Sequence, residues 1–230
     1  MINSEFLLYD EPSRKLFRRI INIIEHDSRM HTWGKAKEII DSFSLNQIDS
    51  KKHVIELMNS YDLLKPHQTY GIMGCWFGSV IVPLLMNQSP EKIYGWDMDK
   101  YAIGVAKELF KEMKLPEFYS QDIWVQQPEN FKECDVIINT SCEHMPPMGD
   151  WPGWNGYFKD FSSDQKNPTW IFQSNNMHGM KDHINSVDSL EEFEDQMHPM
   201  FEIIHSDEIE HRFEDGLKRF TIIGKLYYEG

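Results

Sequence analysis

The stretch DVIINTSCEHMPP, residues 135–147, puts several reactive side chains close together. It closes an apolar run with Asn139, Thr140 and Ser141, and Glu143 and His144 follow. A histidine exchanges a proton near neutral pH, so His144 reads as a general base or, equally, as a helix cap. Glu143 is the second catalytic candidate, with anchoring of the loop as its simpler reading. Three further stretches carry polar groups suited to holding a nucleotide-like ligand. YGIMGCWFGSVIVPLL, residues 70–85, places Gly71, Gly74 and Gly78 in one turn. Such a turn lets a ligand approach the backbone and offers N–H groups at a helix start. A tight turn without a ligand fits the same residues.

In YGWDMD, Asp97 lies roughly 20 residues beyond the glycines, where a carboxylate can accept hydrogen bonds from both ribose hydroxyls. Met98 belongs to the same candidate pocket. Capping is the alternative for Asp97, and Asp99 is the expected N-cap of the next helix. In SQDI, Asp122 can accept a bond from an adenine amino group, and Gln121 or Ile123 can line the base. A solvated loop acid is the alternative for Asp122.

These residues need a scaffold that brings them to one edge. The pattern is helical up to about residue 65: Leu16, Ile20, Ile23 and Ile24 recur at helical spacing, and GKAKEIIDSF and KKHVIELMNSYDLL continue it. Lys65-Pro66 stops any helix. Beyond it, strands alternate with helices. TYGIMG, KIYGWD, EFYSQDI, CDVIINTS and PTWIFQSN read as strands, and DKYAIGVAKELFKEM is an amphipathic helix. FGSVIVPLLMNQ reads as a helix that tolerates Pro83 only near its first turn. A helix is expected at SLEEFEDQMHPM, and FEIIHSDEIE and KRFTIIGKLYYE are expected to form an antiparallel edge pair.

Alternation of this kind implies a doubly wound α/β fold with a mostly parallel sheet, an N-terminal helical extension (1–65) and an α/β domain (66–230). In that architecture ligands bind at the C-terminal ends of the strands, where all four stretches fall. The long segment 146–167 has no periodicity and is rich in Pro, Gly and aromatics, with Trp151, Trp154, Tyr157 and Phe158. It reads as an ordered loop that covers the crevice.

Composition narrows the function. The 230-residue chain is 40% hydrophobic with 7 Trp, 14 Phe and 9 Tyr, enough for a folded core. A net charge of −14 opposes nonspecific attraction to a phosphate backbone, so nucleic acid is disfavoured and a small-molecule substrate or a protein partner fits better. The nearest basic cluster, SRKLFRR, reads as the solvated face of an amphipathic helix. No apolar run approaches the roughly 20 residues that span a bilayer, and the N-terminus lacks a signal-peptide layout, so a cytoplasmic protein is expected. Cys75, Cys134 and Cys142 lack the spacing of a disulfide framework or a zinc site, and no metal is expected. Cys134 and Cys142 read as packing residues.

Together these features resemble the class I, Rossmann-like S-adenosylmethionine-dependent methyltransferases. IYGWDMDKYAIGVAKELF resembles the family's second strand, acidic residue and following helix. CDVIINTSCEHM is similar to its fourth-strand motif, where small-molecule members often carry a Glu-His pair, and the last two strands look alike. The resemblance covers about residues 65–228. It implies S-adenosyl-L-methionine as cofactor, held by Gly74, Trp76, Gly78, Asp97, Met98, Asp122, Ile123 and Asn139, and methyl transfer to a small molecule near His144 and Glu143. The glycine turn departs from the family pattern: aligned on Gly74, the usual acid and second glycine are Ile72 and Trp76. Trp76 either stacks over the ligand or points into the N-terminal helices. The departure leaves two other expectations open: a relative that transfers another part of the cofactor or cleaves it, and a non-catalytic binding protein.

Overall fold

A computed structural model describes residues 11–26, 33–155, 166–211 and 216–227. Three helices come first: α1 (Glu11–His26), α2 (Trp33–Asp41) and α3 (Leu45–Ser60). Ser44 caps α3 by accepting a hydrogen bond from the Gln47 N–H. Then follow β1 (Thr69–Met73), α4 (Ile81–Met86), β2 (Lys92–Asp97), α5 (Lys100–Leu109), β3 (Pro116–Ser120), β4 (Val136–Asn139), β5 (Thr169–Asn175), α6 (Leu190–Asp195), β6 (Phe201–Glu210) and β7 (Lys218–Leu226). Pro83 is the third residue of α4, where no intrahelical N–H is required. The expected helix at residues 189–200 is shorter and stops at Asp195.

The strands form one seven-stranded sheet in the order β3-β2-β1-β4-β5-β7-β6. β1 to β5 are parallel, β7 runs antiparallel to β5, and β6 is the outer strand of the expected antiparallel pair. The strand order reverses between β1 and β4, so a crevice opens there beyond the strand ends. The register sets Met73 beside Trp96 on one side and Asn139 on the other.

Side chains alternate between two apolar layers, as pleated strands dictate. One layer takes Ile72, Ile93, Ile138, Ile171 and Ile223. It also holds Ile39, Phe43, Ile48, Val54 and Met58 from the N-terminal helices, which therefore share a core with the sheet. The other layer takes Met73, Trp96, Ile137, Trp170, Phe172 and Ile222. Arg19 corrects the solvated reading of the basic cluster in part. Arg18 is exposed, but Arg19 Nη1 donates to the Leu109 carbonyl (2.7 Å) and the guanidinium pairs with Glu112. A cation there complements the carbonyl end of α5.

The aromatic loop also departs from expectation. Trp151 and Trp154 are not a cover over the crevice; they are 1% and 3% exposed and belong to the second apolar layer. The Trp151 indole donates to the Ile123 carbonyl (2.9 Å), and Trp154 donates to the Met148 carbonyl (2.6 Å). Their rings meet edge to face at 4.9 Å and both pack on Trp170. Pro and Gly density suggested a surface loop, but apolar burial of two indoles with satisfied N–H groups dominates. Tyr157 and Phe158 lie outside the described residues. Trp151→Ala is therefore expected to lower unfolding free energy by about 3–5 kcal/mol. Urea denaturation measures it, and a loss below about 1 kcal/mol would restore the cover.

Candidate functional site

The β1 turn is the sharpest feature at the crevice. Gly74 and Gly78 have φ of 59° and 62°, and between them Trp76 has φ of 48°. A left-handed backbone costs a non-glycine residue roughly 1–2 kcal/mol, so the indole occupies a position that favours glycine. Its ring packs on Phe77 (4.5 Å) against the layer that includes the N-terminal helices.

Asp97 holds this turn. Its Oδ2 accepts the Trp76 N–H (2.8 Å), and Oδ1 accepts the Asp99 N–H (2.9 Å). Burial pushes the Asp97 carboxyl above the usual carboxylate range, against the opposing pull of those two N–H groups. A carboxylate has about four lone-pair sites, so acceptor capacity is left for two hydroxyls. Asp99 is the N-cap of α5 as expected, accepting from the Tyr101 and Ala102 N–H groups. Met98 beside it is 70% exposed.

The other sequence candidates lie along the same edge. Asp122 follows β3, and its Oδ1 accepts the Trp124 N–H (2.9 Å). Gln121 is tied to the end of β2 through the Asp97 carbonyl (2.9 Å). Ile123 is buried, with its carbonyl committed to Trp151. Asn139 ends β4 fully buried; its Oδ1 accepts the Ser141 N–H (2.9 Å), and its amide faces the sulfurs of Met145 and Met148 at 3.3 and 3.5 Å. A Cβ at Gly74 would lie 2.7 Å from the Met145 Cε, so a side chain there would displace that methionine.

Glu143 and His144 sit in a short 3₁₀ turn, residues 142–144, and part company. His144 is exposed, its Nδ1 bonded to the Asp182 carbonyl (2.9 Å), and its ring meets His183 edge to face at 4.6 Å. Glu143 turns inward, 4% exposed, with Oε1 3.6 Å from Arg219 Nη1. That is an ion pair longer than a hydrogen bond. Its backbone carbonyl accepts the N–H groups of Ile184 and Asn185, which anchors the loop.

Behind Glu143 lies a buried polar layer that sequence reading missed. Lys51, Gln173, Thr221, Arg219 and His211 are all buried. Ser50 on α3 donates to Gln173, whose amide donates to Thr221 (3.0 Å), and Arg219 Nε bonds His211 (3.0 Å). Lys51 donates to Gln47 (2.6 Å). A signal existed: Lys51 falls on the buried stripe Ile48, Val54, Met58 of α3. Arg219, Thr221 and Ile223 likewise share one strand face. His183 lies in a loop without periodicity and gave no signal. All three cysteines are buried and free, and burial pushes their thiols up, so none is a nucleophile.

No protein-family model and no curated protein matches the sequence. Solved structures match the fold. The N-methyltransferase NodS from Bradyrhizobium japonicum WM9, in complex with S-adenosyl-L-homocysteine, is 13% identical with a TM-score of 0.60, over 94% of this chain and 99% of that one. An S-adenosylmethionine-dependent methyltransferase from Clostridium acetobutylicum ATCC 824 is 14% identical with a TM-score of 0.58, over 85% and 99%. Magnesium protoporphyrin IX methyltransferase from Synechocystis PCC 6803, with the methyl donor bound, is 16% identical with a TM-score of 0.54, over 97% and 94%. The fold of this chain is the class I methyltransferase fold. Among the described residues no helix is long and apolar enough to cross a membrane.

The buried lysine makes stability depend on pH. Burial first, then the Arg219 charge, lowers the Lys51 pKa from 10.5 to about 7, while Glu143 pulls the other way. A base whose folded pKa is depressed binds fewer protons in the native state than in the unfolded one between those two values. Stability is therefore lost as pH falls from 10.5 through about 7. Lys51→Met should flatten this slope, so that its advantage over the parent in melting temperature is largest at pH 7 and shrinks toward pH 10. Parallel slopes for the two proteins would place Lys51 in contact with water.

Proposed function

We propose that the protein is a methyltransferase that uses S-adenosyl-L-methionine to methylate a small molecule. The observation that carries this reading is the half-buried Asp97 carboxylate clamped on the β1 turn with its left-handed residues, at the switch point of a sheet with the methyltransferase strand order. Bound there, the cofactor supplies a methyl group on a sulfonium, ready for in-line displacement by an oxygen, nitrogen or carbon nucleophile.

The residues present fit the ribose end. Asp97 retains acceptor capacity for both hydroxyls, and Gly74 and Gly78 leave the backbone open to close approach. Met98, Asp122 and Ile123 would border the base, with Asp122 accepting from its amino group. Asn139 would hold the crevice floor at the end of β4. At the amino-acid end, Ile72 gives no carboxylate, so Trp76 and Met145 would bound that part of the pocket by contact. His144 is the candidate base on the acceptor side, with Glu143 fixing its turn. The acidic surface, net charge −14, suits a small molecule better than nucleic acid. Helix α3, tied to β5 through Ser50 and Gln173, would shield the acceptor from water.

Trp76 at a glycine position motivates a second reading, in which the bound cofactor is cleaved or donates another group. Product analysis separates the two, because only methyl transfer yields S-adenosylhomocysteine. A non-catalytic binding protein is tested first by calorimetry: absence of binding of either cofactor form at high micromolar concentration overturns the proposal. Asp97→Ala should weaken S-adenosylmethionine binding by about 2–3 kcal/mol, roughly 30- to 150-fold in Kd. An unchanged Kd in a folded variant would remove Asp97 from the site. On an acceptor found by screening, His144→Ala should lower kcat at least about tenfold with cofactor affinity unchanged. A lower melting temperature with full turnover would make His144 a packing residue.

A further inference from the structure

Where β4 leaves the sheet, three side chains from two loops converge. The ligand-capable atoms of Glu143, His144 and His183 all lie within 4.8 Å of one another. Glu143 Oε2 is buried and has no hydrogen-bond partner. A carboxylate oxygen left this way carries its full desolvation cost, so such groups are rare in folded proteins. A metal ion is one group that would satisfy it.

The surroundings fit that occupant. His144 Nδ1 bonds the Asp182 carbonyl (2.9 Å), and His183 Nδ1 contacts the Ser186 hydroxyl (3.3 Å). Metal-binding imidazoles are commonly oriented by a contact of this kind on one ring nitrogen. Arg219 Nη1 lies 3.6 Å from Oε1, which leaves Oε2 as the oxygen without a hydrogen-bond partner. The carbonyl of Glu143 accepts both Ile184 and Asn185 N–H groups (2.9 and 3.0 Å), which fixes the turn against the loop that carries His183. The three residues grade from buried through half-buried to exposed, so an ion held by them would keep coordination positions open on the exposed side.

We propose that Glu143, His144 and His183 form a binding site for a divalent first-row transition ion. Two imidazoles and one carboxylate are a donor set for Zn²⁺ or its neighbours rather than for Mg²⁺ or Ca²⁺, which prefer oxygen. Bonds of about 2.0–2.2 Å require the three atoms to draw together, and exposed His144 and half-exposed His183 have room to rotate. The ion's role rests on the methyl-transfer reading. An acceptor hydroxyl that coordinates the ion would release its proton to solvent water more readily, and its oxygen would keep a further lone pair to attack the methyl carbon. With the ion in place His144 is a ligand, and lowering the acceptor's proton affinity passes from imidazole to metal.

The test is calorimetric titration of the untagged full-length protein with Zn²⁺ in the absence of S-adenosylmethionine, supported by the visible absorption of Co²⁺. One saturable equivalent is expected. His183→Ala and Glu143→Gln should each weaken Zn²⁺ binding at least about tenfold, with folding verified by thermal melts. His67→Ala, on a surface histidine beside Glu91, should leave it unchanged. Absence of a saturable equivalent at high micromolar Zn²⁺, or the same affinity in His183→Ala as in the parent, would overturn the site. S-adenosylmethionine binding is titrated separately in chelator. Cofactor binding without Zn²⁺ binding defeats the ion alone, and Zn²⁺ binding without cofactor binding defeats methyl transfer alone.

Discussion

The bond from the Trp76 N–H to the Asp97 carboxylate organises the crevice. It joins the turn after β1 to the end of β2, two neighbouring parallel strands. A second bond, from the Cys75 N–H to the Trp96 carbonyl (3.0 Å), runs alongside. Together they hold the turn from Gly74 to Gly78, in which Gly74, Trp76 and Gly78 are left-handed and which leads into α4. Without that clamp, Trp76 would have little reason to keep a positive φ, because a left-handed bulky residue persists only where its surroundings fix it. The half-buried acid thus builds the turn and keeps lone pairs that these two bonds do not use.

The polar layer behind Glu143 is built on different physics. Glu143, Arg219, Lys51 and His211 are ionisable groups buried between α3, β7 and the loop after β4. Burying charge is costly, and pairing repays it only in part. Lys51 meets that cost by shedding its proton near neutrality. Glu143 keeps one oxygen against Arg219 and leaves the other without a hydrogen bond. An apolar layer would cost less at these positions, because each buried charge must be paired or neutralised.

Much of the architecture was legible along the chain. Short apolar runs in TYGIMG, KIYGWD and CDVIINTS, set against the helical spacing of DKYAIGVAKELF, identified the strands and their connecting helices, because a short apolar run and a period of 3.6 are local properties. Asp99 as a cap was legible for the same reason: its partners are the next residues along. The aromatic loop misled because Pro and Gly report turns, not depth. Trp151 and Trp154 reach the second layer only through contacts with Trp170 and Ile123, distant in sequence. Lys51 was readable on its helical stripe, yet a lysine there reads as solvated until the partner face is known.

The sequence by itself determined the element order, the parallel character of the central strands and the alignment of Asp97 with the glycine turn. Each follows from local periodicity, short-range capping or chain connectivity. Only the tertiary structure decided which way side chains face once strands are paired: Glu143 inward to Arg219, His144 outward beside His183, and Trp76 back onto Phe77. Those directions depend on contacts between segments far apart in the chain. The free energy of burying or pairing a group belongs to the place where it ends up, and the linear order of residues does not contain that place.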